Sequence, residues 1–234
     1  MTELTKRFYK QVAVAERDGG YAVTLDGRPL RTPGRALFIA PTRALAEACA
    51  AEWEAQQELV DPSAMPLTRL ANVALDRTPA VRAELAEKIA SYCGTDVISH
   101  RADGPPALMA RQDDAWGPLV VWAREALELK VPVFFGFAHP TGETREEDRL
   151  RSLAARLDDF RLTGLAHGAG LAGSAVIAFA LLYGRLEAQG AFAASTLEEQ
   201  YSLDAWGDDA LARERLDHIQ LEFIALERFF KTLS

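Results

Sequence analysis

Cysteine is scarce. Cys49 and Cys93 are the whole complement of a 234-residue chain, too few to lay out a disulfide framework, so burial must hold the fold and a reducing compartment is expected. Both fall on apolar stripes of predicted helices, where cysteine acts as a small hydrophobe. Histidine is scarce too: His100, His139, His167 and His218 show no spacing to another His or to a Cys that would make a metal pair. Lys and Arg never run longer than a pair, and the net charge is −8. That balance disfavours duplex nucleic acid, whose binders displace counterions with a basic surface, and it disfavours an anionic membrane. Long apolar runs are missing as well. Leu162 to Gly184 carries no charge, but Gly164, Gly168, Gly170, Gly173 and His167 interrupt it. Its clean part, Leu171 to Tyr183, suits a buried core helix better than a span, so no membrane insertion is expected. Met1 to Lys10 lacks the apolar core of a signal peptide and is short for a transit peptide. No repeat and no low-complexity tract is found.

What remains is an ordinary globular composition, 49% apolar and 26% charged. The first forty residues read as strands. Phe8 to Val14 is extended, Asp18-Gly19-Gly20 turns, and Tyr21, Val23 and Leu25 alternate as in a half-buried strand. Asp26-Gly27 is a hairpin signal, since glycine tolerates positive φ. Pro29 points to an edge strand, and Ala36 to Ala40 is a further short strand. At Thr42, an N-cap candidate, the period becomes helical: Leu45, Ala46, Cys49, Ala50 and Trp53 share one face. Leu67, Leu70, Ala71, Ala74 and Leu75 form a second stripe. Thr78-Pro79 reads as a cap and first helical residue, before a stripe of Val81, Leu85, Ile89 and Tyr92. Pro118 should kink or restart the helix that carries Trp116 and Leu119. Val131 to Phe137 reads as a strand returning to the first sheet, and Thr144 with Glu147 as a capping box. Ala212, Leu216, Ile219, Phe223, Leu226, Phe230 and Leu233 make a heptad-like seam. Its six larger members would contribute roughly 9–18 kcal/mol if fully buried, before ordering entropy. The expected class is α+β: a β-rich N-terminal domain with one or two helices, residues 1–77, and a mainly helical C-terminal bundle, residues 78–234.

No catalytic set stands out. Gly168-Ala-Gly170-Leu-Ala-Gly173 spells GxGxxG, and Glu187 lies nineteen residues beyond its first glycine. A dinucleotide loop needs a strand-to-helix turn, so that a helix N-terminus holds the pyrophosphate. No alternation of strands and helices surrounds this one, and close helix packing is the better account. A nucleotide-dependent enzyme built on Gly168–Gly173 stands as the alternative. Ser174 follows Gly173, but Val176 occupies the last position of a nucleophile elbow. A cluster of acids and aromatics is more informative: Leu197-Glu198-Glu199-Gln200-Tyr201, then Asp204-Ala205-Trp206-Gly207-Asp208-Asp209. Aromatics beside charges at a helix break are frequent in protein interfaces, but on composition alone the better account is that Tyr201 and Trp206 pack while the acids stay solvated.

Taken in order, Arg7-Phe8-Tyr9-Lys10, Leu25-Asp26-Gly27-Arg28-Pro29-Leu30-Arg31-Thr32-Pro33, Glu52-Trp53, Met65-Pro66-Leu67-Thr68, Thr95-Asp96, Gln112, Trp116, Gly173-Ser174, Leu197-Glu198-Glu199 and Trp206-Gly207-Asp208 resemble one family. It is the family of assembly chaperones for the ATP synthase F(1) sector that handles the alpha subunit. The resemblance implies a chaperone and not an enzyme, with no cofactor, whose partner is the unassembled alpha subunit. It places functional weight on Glu199 first, Glu198 as the alternative, then Tyr201, Trp206 and Asp208, with Gly173 serving helix packing. A monomer in a bacterial cytoplasm is the expected setting, or the mitochondrial matrix if a targeting segment has been removed.

Overall fold

Two left-handed turns organise the N-terminal sheet. Asp18 and Gly19 have φ of 53° and 77°, and Asp26 and Gly27 have 48° and 76°, the geometry that closes tight hairpins with the natural strand twist. In the computed structural model, which describes residues 5–135, 145–207 and 209–234, these turns join β2 (Val12–Arg17), β3 (Gly20–Leu25) and β4 (Arg28–Pro29), while β5 (Ile39–Ala40) returns to β3. The pairing is antiparallel, with Val12 opposite Leu25, Thr24 opposite Pro29 and Tyr21 opposite Ala40. A separate two-stranded ribbon joins β1 (Thr5–Lys6) to β6 (Leu59–Val60). The first long strand therefore begins at Val12 and not at Phe8. The half-buried alternation expected of β3 is also damped. Ala22, Val23, Thr24 and Leu25 are all buried, because β3 is the central strand and α1 (Arg43–Glu54) lies across it and β2.

Thr42 caps α1 as its hydroxyl suggested, accepting from Leu45 N at 3.1 Å. Most of the rest is helical: α2 (Pro66–Asp76), α3 (Thr78–Ala90), α4 (Pro106–Ala126), α5 (Arg145–Ala155), α6 (Asp159–Ala172), α7 (Ala175–Leu182), α8 (Ala188–Ser195), α9 (Leu197–Trp206) and α10 (Ala210–Thr232). One apolar core runs through both halves, and α2 packs on α6 and α10 across the position where the boundary was placed. The seam of α10 faces that core: Leu216, Phe223, Leu226, Phe230 and Leu233 are buried and Ile219 is half-buried. All residues from Ala175 to Leu181 in α7 are buried, which is why that stretch shows no polar face.

Several local expectations are corrected. Thr78 is already helical and does not N-cap α3; its hydroxyl reaches back to the Val73 carbonyl in the last turn of α2 at 3.3 Å and meets the Thr163 hydroxyl at 2.6 Å, which ties α3 to α6. α3 itself is kinked at Val81, with φ −121° and ψ 18°. Pro118 does not restart the helix, since α4 runs through it as one element. Of Val131 to Phe137, only β8 (Phe134–Phe135) is a strand among the described residues, and it pairs in parallel with β7 (His100–Arg101), not with the first sheet. Cys93 is buried in the 3₁₀ turn Ser91–Gly94, just past α3. Thr144 and His139 lie outside the described residues.

Candidate functional site

The acidic and aromatic cluster falls on α9 and on its junction with α10, and the structure gives its members different surroundings. Glu198 faces α4. Its carboxylate accepts from the Gln112 amide at 2.6 Å. Gln112 is buried, and its own side-chain oxygen accepts from Ala102 N at 2.9 Å. The Gln112 carbonyl accepts from the Arg101 guanidinium at 2.7 Å, and that guanidinium stacks 5.1 Å from the Trp116 ring. Burial pulls the Arg101 pKa below its ordinary value, partly offset by Asp113. Glu198 is thus the outer end of a chain of hydrogen bonds that reaches into the core, and it fixes how α9 sits on α4.

Glu199, one residue on, turns the other way and pairs with Arg215 of α10. Tyr201 lies under the Arg111 guanidinium at 5.2 Å, and Arg111 also pairs with Asp204 at 2.9 Å. Trp206 ends α9 with 88% of its surface exposed. Gly207 follows at φ 106°, a conformation that only glycine adopts without strain, and it swings the chain toward the start of α10. Leu211, in the first turn of α10, is 77% exposed. Asp208 lies outside the described residues. The partners Arg111 and Arg215 were not singled out from the sequence. Gln112 was, but only through the resemblance and without a role.

The glycine run has a different location and purpose. Gly168 and Gly170 are inside α6, and Gly173 caps its C-terminal end at φ 62°. No strand feeds that turn, so the run does not form a strand-to-helix phosphate loop. A Cβ on Gly164 would come within 2.4 Å of the Phe230 ring, and one on Gly168 within 2.8 Å of Leu226. These glycines let α6 and α10 approach closely. Ser174, next after Gly173, caps α7 by accepting from Ile177 N at 3.0 Å. No group of His, Cys, Asp and Glu among the described residues is arranged to hold a metal ion. No helix among them is long and apolar enough to cross a membrane.

A family model described as ATP12 chaperone protein matches residues 6–124, just over half of the chain. The chain belongs to the ATP12 chaperone family. ATP12 proteins are assembly chaperones of the ATP synthase F(1) sector. The mitochondrial atp12 protein of Schizosaccharomyces pombe is 28% identical over 220 residues, covering 86% of this chain and 74% of that one. The crystal structure of Atp12 from Paracoccus denitrificans is 38% identical, covers 98% of both chains and superimposes with a TM-score of 0.92. A candidate chaperone from Agrobacterium tumefaciens is 35% identical over 99% of this chain and 87% of its own, also at a TM-score of 0.92. ATP12 relatives thus occur in bacteria and in mitochondria. The family-model match ends within α4, whereas the Paracoccus Atp12 likeness extends over α9 and α10.

Proposed function

We propose that this ATP12 chaperone binds the unassembled alpha subunit of ATP synthase, covers surface that the neighbouring beta subunit will later cover, and then releases it. The observation that carries the reading is Trp206, a large aromatic with 88% of its surface exposed beside salt-bridged acids. Buried aromatic anchors with a polar rim supply most of the energy in protein interfaces. On this reading Trp206 is the anchor. Glu199 with Arg215, and Tyr201 and Asp204 with Arg111, form the rim, and Glu198 holds α9 in place. Covering such surface until assembly prevents aggregation through exposed apolar patches. The chaperone acts as a monomer, without a cofactor, in the compartment where the subunit is made or imported. A bacterial cytoplasm is the proposed setting.

The test is capture of free alpha subunit by the full chain. Wild type should co-elute with alpha and suppress its aggregation, and Trp206→Ala should weaken capture by about tenfold or more, as interface anchors do. Glu199→Lys should weaken it too, with circular dichroism unchanged. Lack of any complex at micromolar concentrations would sink the reading, and unchanged affinity in Trp206→Ala would remove α9 from the site.

A further inference from the structure

A second surface, at the β-rich end, has its own chemistry. Phe8, Tyr9 and Trp53 form a ladder of edge-on rings with centroids 5.3 Å and 5.6 Å apart. Tyr9 is buried and donates its hydroxyl to the Trp53 carbonyl at 2.7 Å. Arg7 sits 4.7 Å from the Tyr9 ring and donates to the carbonyls of Tyr9, Glu54 and Gln56, so the ladder is braced against the end of α1. Phe8 is held by the same backbone, yet 67% of it is exposed. A cavity of about 650 Å³ opens over this floor, walled by the Leu25–Arg31 hairpin. A smaller one of about 280 Å³ continues from Trp53 and Arg31 toward α2. Trp53 Nε1 and Asn72 Oδ1 are buried there with no hydrogen-bond partner, one donor and one acceptor that the fold leaves unmet.

The rim is basic. Arg28 and Arg31 are exposed on the hairpin. Arg31 donates to the Arg35 carbonyl at 2.7 Å, and neither guanidinium has a carboxylate within ion-pair distance among the described residues. The one acid on the rim, Asp26, is already engaged by the amides of Lys10 and Gln11 at 3.0 Å and 2.8 Å. Residues 1–40 contain seven Lys and Arg against four Asp and Glu, in a chain of net charge −8. All residues lining the larger cavity lie in segments that carried the family resemblance.

We propose that this groove docks an acidic, extended polypeptide segment carrying one bulky apolar side chain. The side chain would stack on Phe8 and Trp53, and flanking carboxylates would meet the planar forks of Arg28 and Arg31, the geometry that favours carboxylates over other acceptors. An aromatic ledge alone would accept a nucleobase as readily, but the lining holds only two guanidiniums, too few to track a phosphate backbone along a strand. Only the assignment of this segment to the client rests on the chaperone reading above. The client would then be held at two places, and two linked contacts raise apparent affinity well beyond either alone.

The probe is a fluorescein-labelled peptide with a central Phe flanked on each side by Asp and Glu, titrated with the full chain and followed by anisotropy. Saturable binding is expected. It should weaken by about tenfold in Arg28→Glu/Arg31→Glu, and by several-fold in both Phe8→Ala and Arg28→Gln/Arg31→Gln, with each variant's melting temperature checked. Trp206→Ala should bind the peptide as wild type does. Equal binding by the double charge reversal, equal binding of a lysine-flanked peptide, or displacement by a single-stranded oligonucleotide at lower concentration would overturn the proposal. Alpha capture that is unchanged in the double reversal would overturn the assignment to the client. Loss of peptide binding together with weakened capture would support it. Failure of the α9 reading is distinguishable, because Trp206→Ala would then leave both measurements untouched.

Discussion

Glu52 illustrates what one buried carboxylate does for this fold. It sits near the end of α1, 7% exposed, and accepts from Leu67 N at 2.9 Å, Thr68 N at 2.8 Å and Thr68 Oγ1 at 2.7 Å. The N-cap residue of α2 is Met65, whose side chain makes no cap hydrogen bond. The first amides of α2 would otherwise be buried without acceptors, each costing about 1–3 kcal/mol. Glu52→Ala should therefore lower stability by about 2–4 kcal/mol in urea unfolding, and Glu52→Gln by less, since one oxygen still accepts. An unchanged midpoint in Glu52→Ala would show that water satisfies those amides. Nothing in the sequence marks Glu52 for this role, because its donors lie fifteen and sixteen residues away across a proline-rich turn. The candidate site was legible to the same limited degree. Glu198, Glu199, Tyr201 and Trp206 stand out as a run of acids and aromatics, but Arg111 comes from α4, 93 residues before Asp204. That Glu198 anchors α9 while Glu199 faces α10 follows from helical geometry, which turns adjacent residues about 100° apart, and from packing that no local pattern encodes.

The α6–α10 pair shows how an element's sequence can be read correctly in period and misleadingly in motif. Gly164 and Gly168 face α10, whereas a Cβ on Gly170 would meet nothing nearer than the Tyr92 hydroxyl at 4.0 Å. Gly164→Ala should then destabilise by about 1–3 kcal/mol through overpacking against Phe230. Gly170→Ala should be neutral, or stabilise by up to about 1 kcal/mol, because alanine costs the helix less conformational entropy. Thermal melts of the two variants separate the packing account from a ligand-cradling one, which would make Gly170 the sensitive position. The helices with one apolar stripe, α1, α2 and α10, were legible because periodicity survives wherever one face meets solvent. α7 is enclosed on every side and shows only apolar character. The short strands β7 and β8, two residues each, carry too few side chains to display any period, and they pair across the whole of α4, which separates them in sequence.

At the scale of the whole molecule, stability against pH is the sum of carboxylates pulled in opposite directions. Asp26 and Asp61 sit below the ordinary range, Asp26 through the amides of Gln11 and Lys10, Asp61 through the Ser63 hydroxyl and amide. Both are exposed, so both favour folding weakly, and less so as pH falls. Asp96 works the other way. Burial pushes it up to about 6, against the lowering hydrogen bonds from Ser174 and from the amides of Val176, Ile98 and Ala175. It joins the turn before β7 to the start of α7, accepting from Ile98 N and Val176 N at 3.2 Å each. A folded pKa above the unfolded value means that the native state holds the proton more tightly. The contribution of Asp96 is therefore most favourable below about pH 4 and is lost as pH rises through 6. The exposed acids blur this in wild type alone, so the comparison has to be with Asp96→Asn, which keeps an acceptor but does not titrate. Between pH 4 and pH 7, wild type should lose about 2–3 kcal/mol relative to Asp96→Asn. Urea midpoints of the two proteins across that range measure the difference directly. A constant gap would mean that Asp96 is already ionised at pH 4, with the α7 amides outweighing its burial.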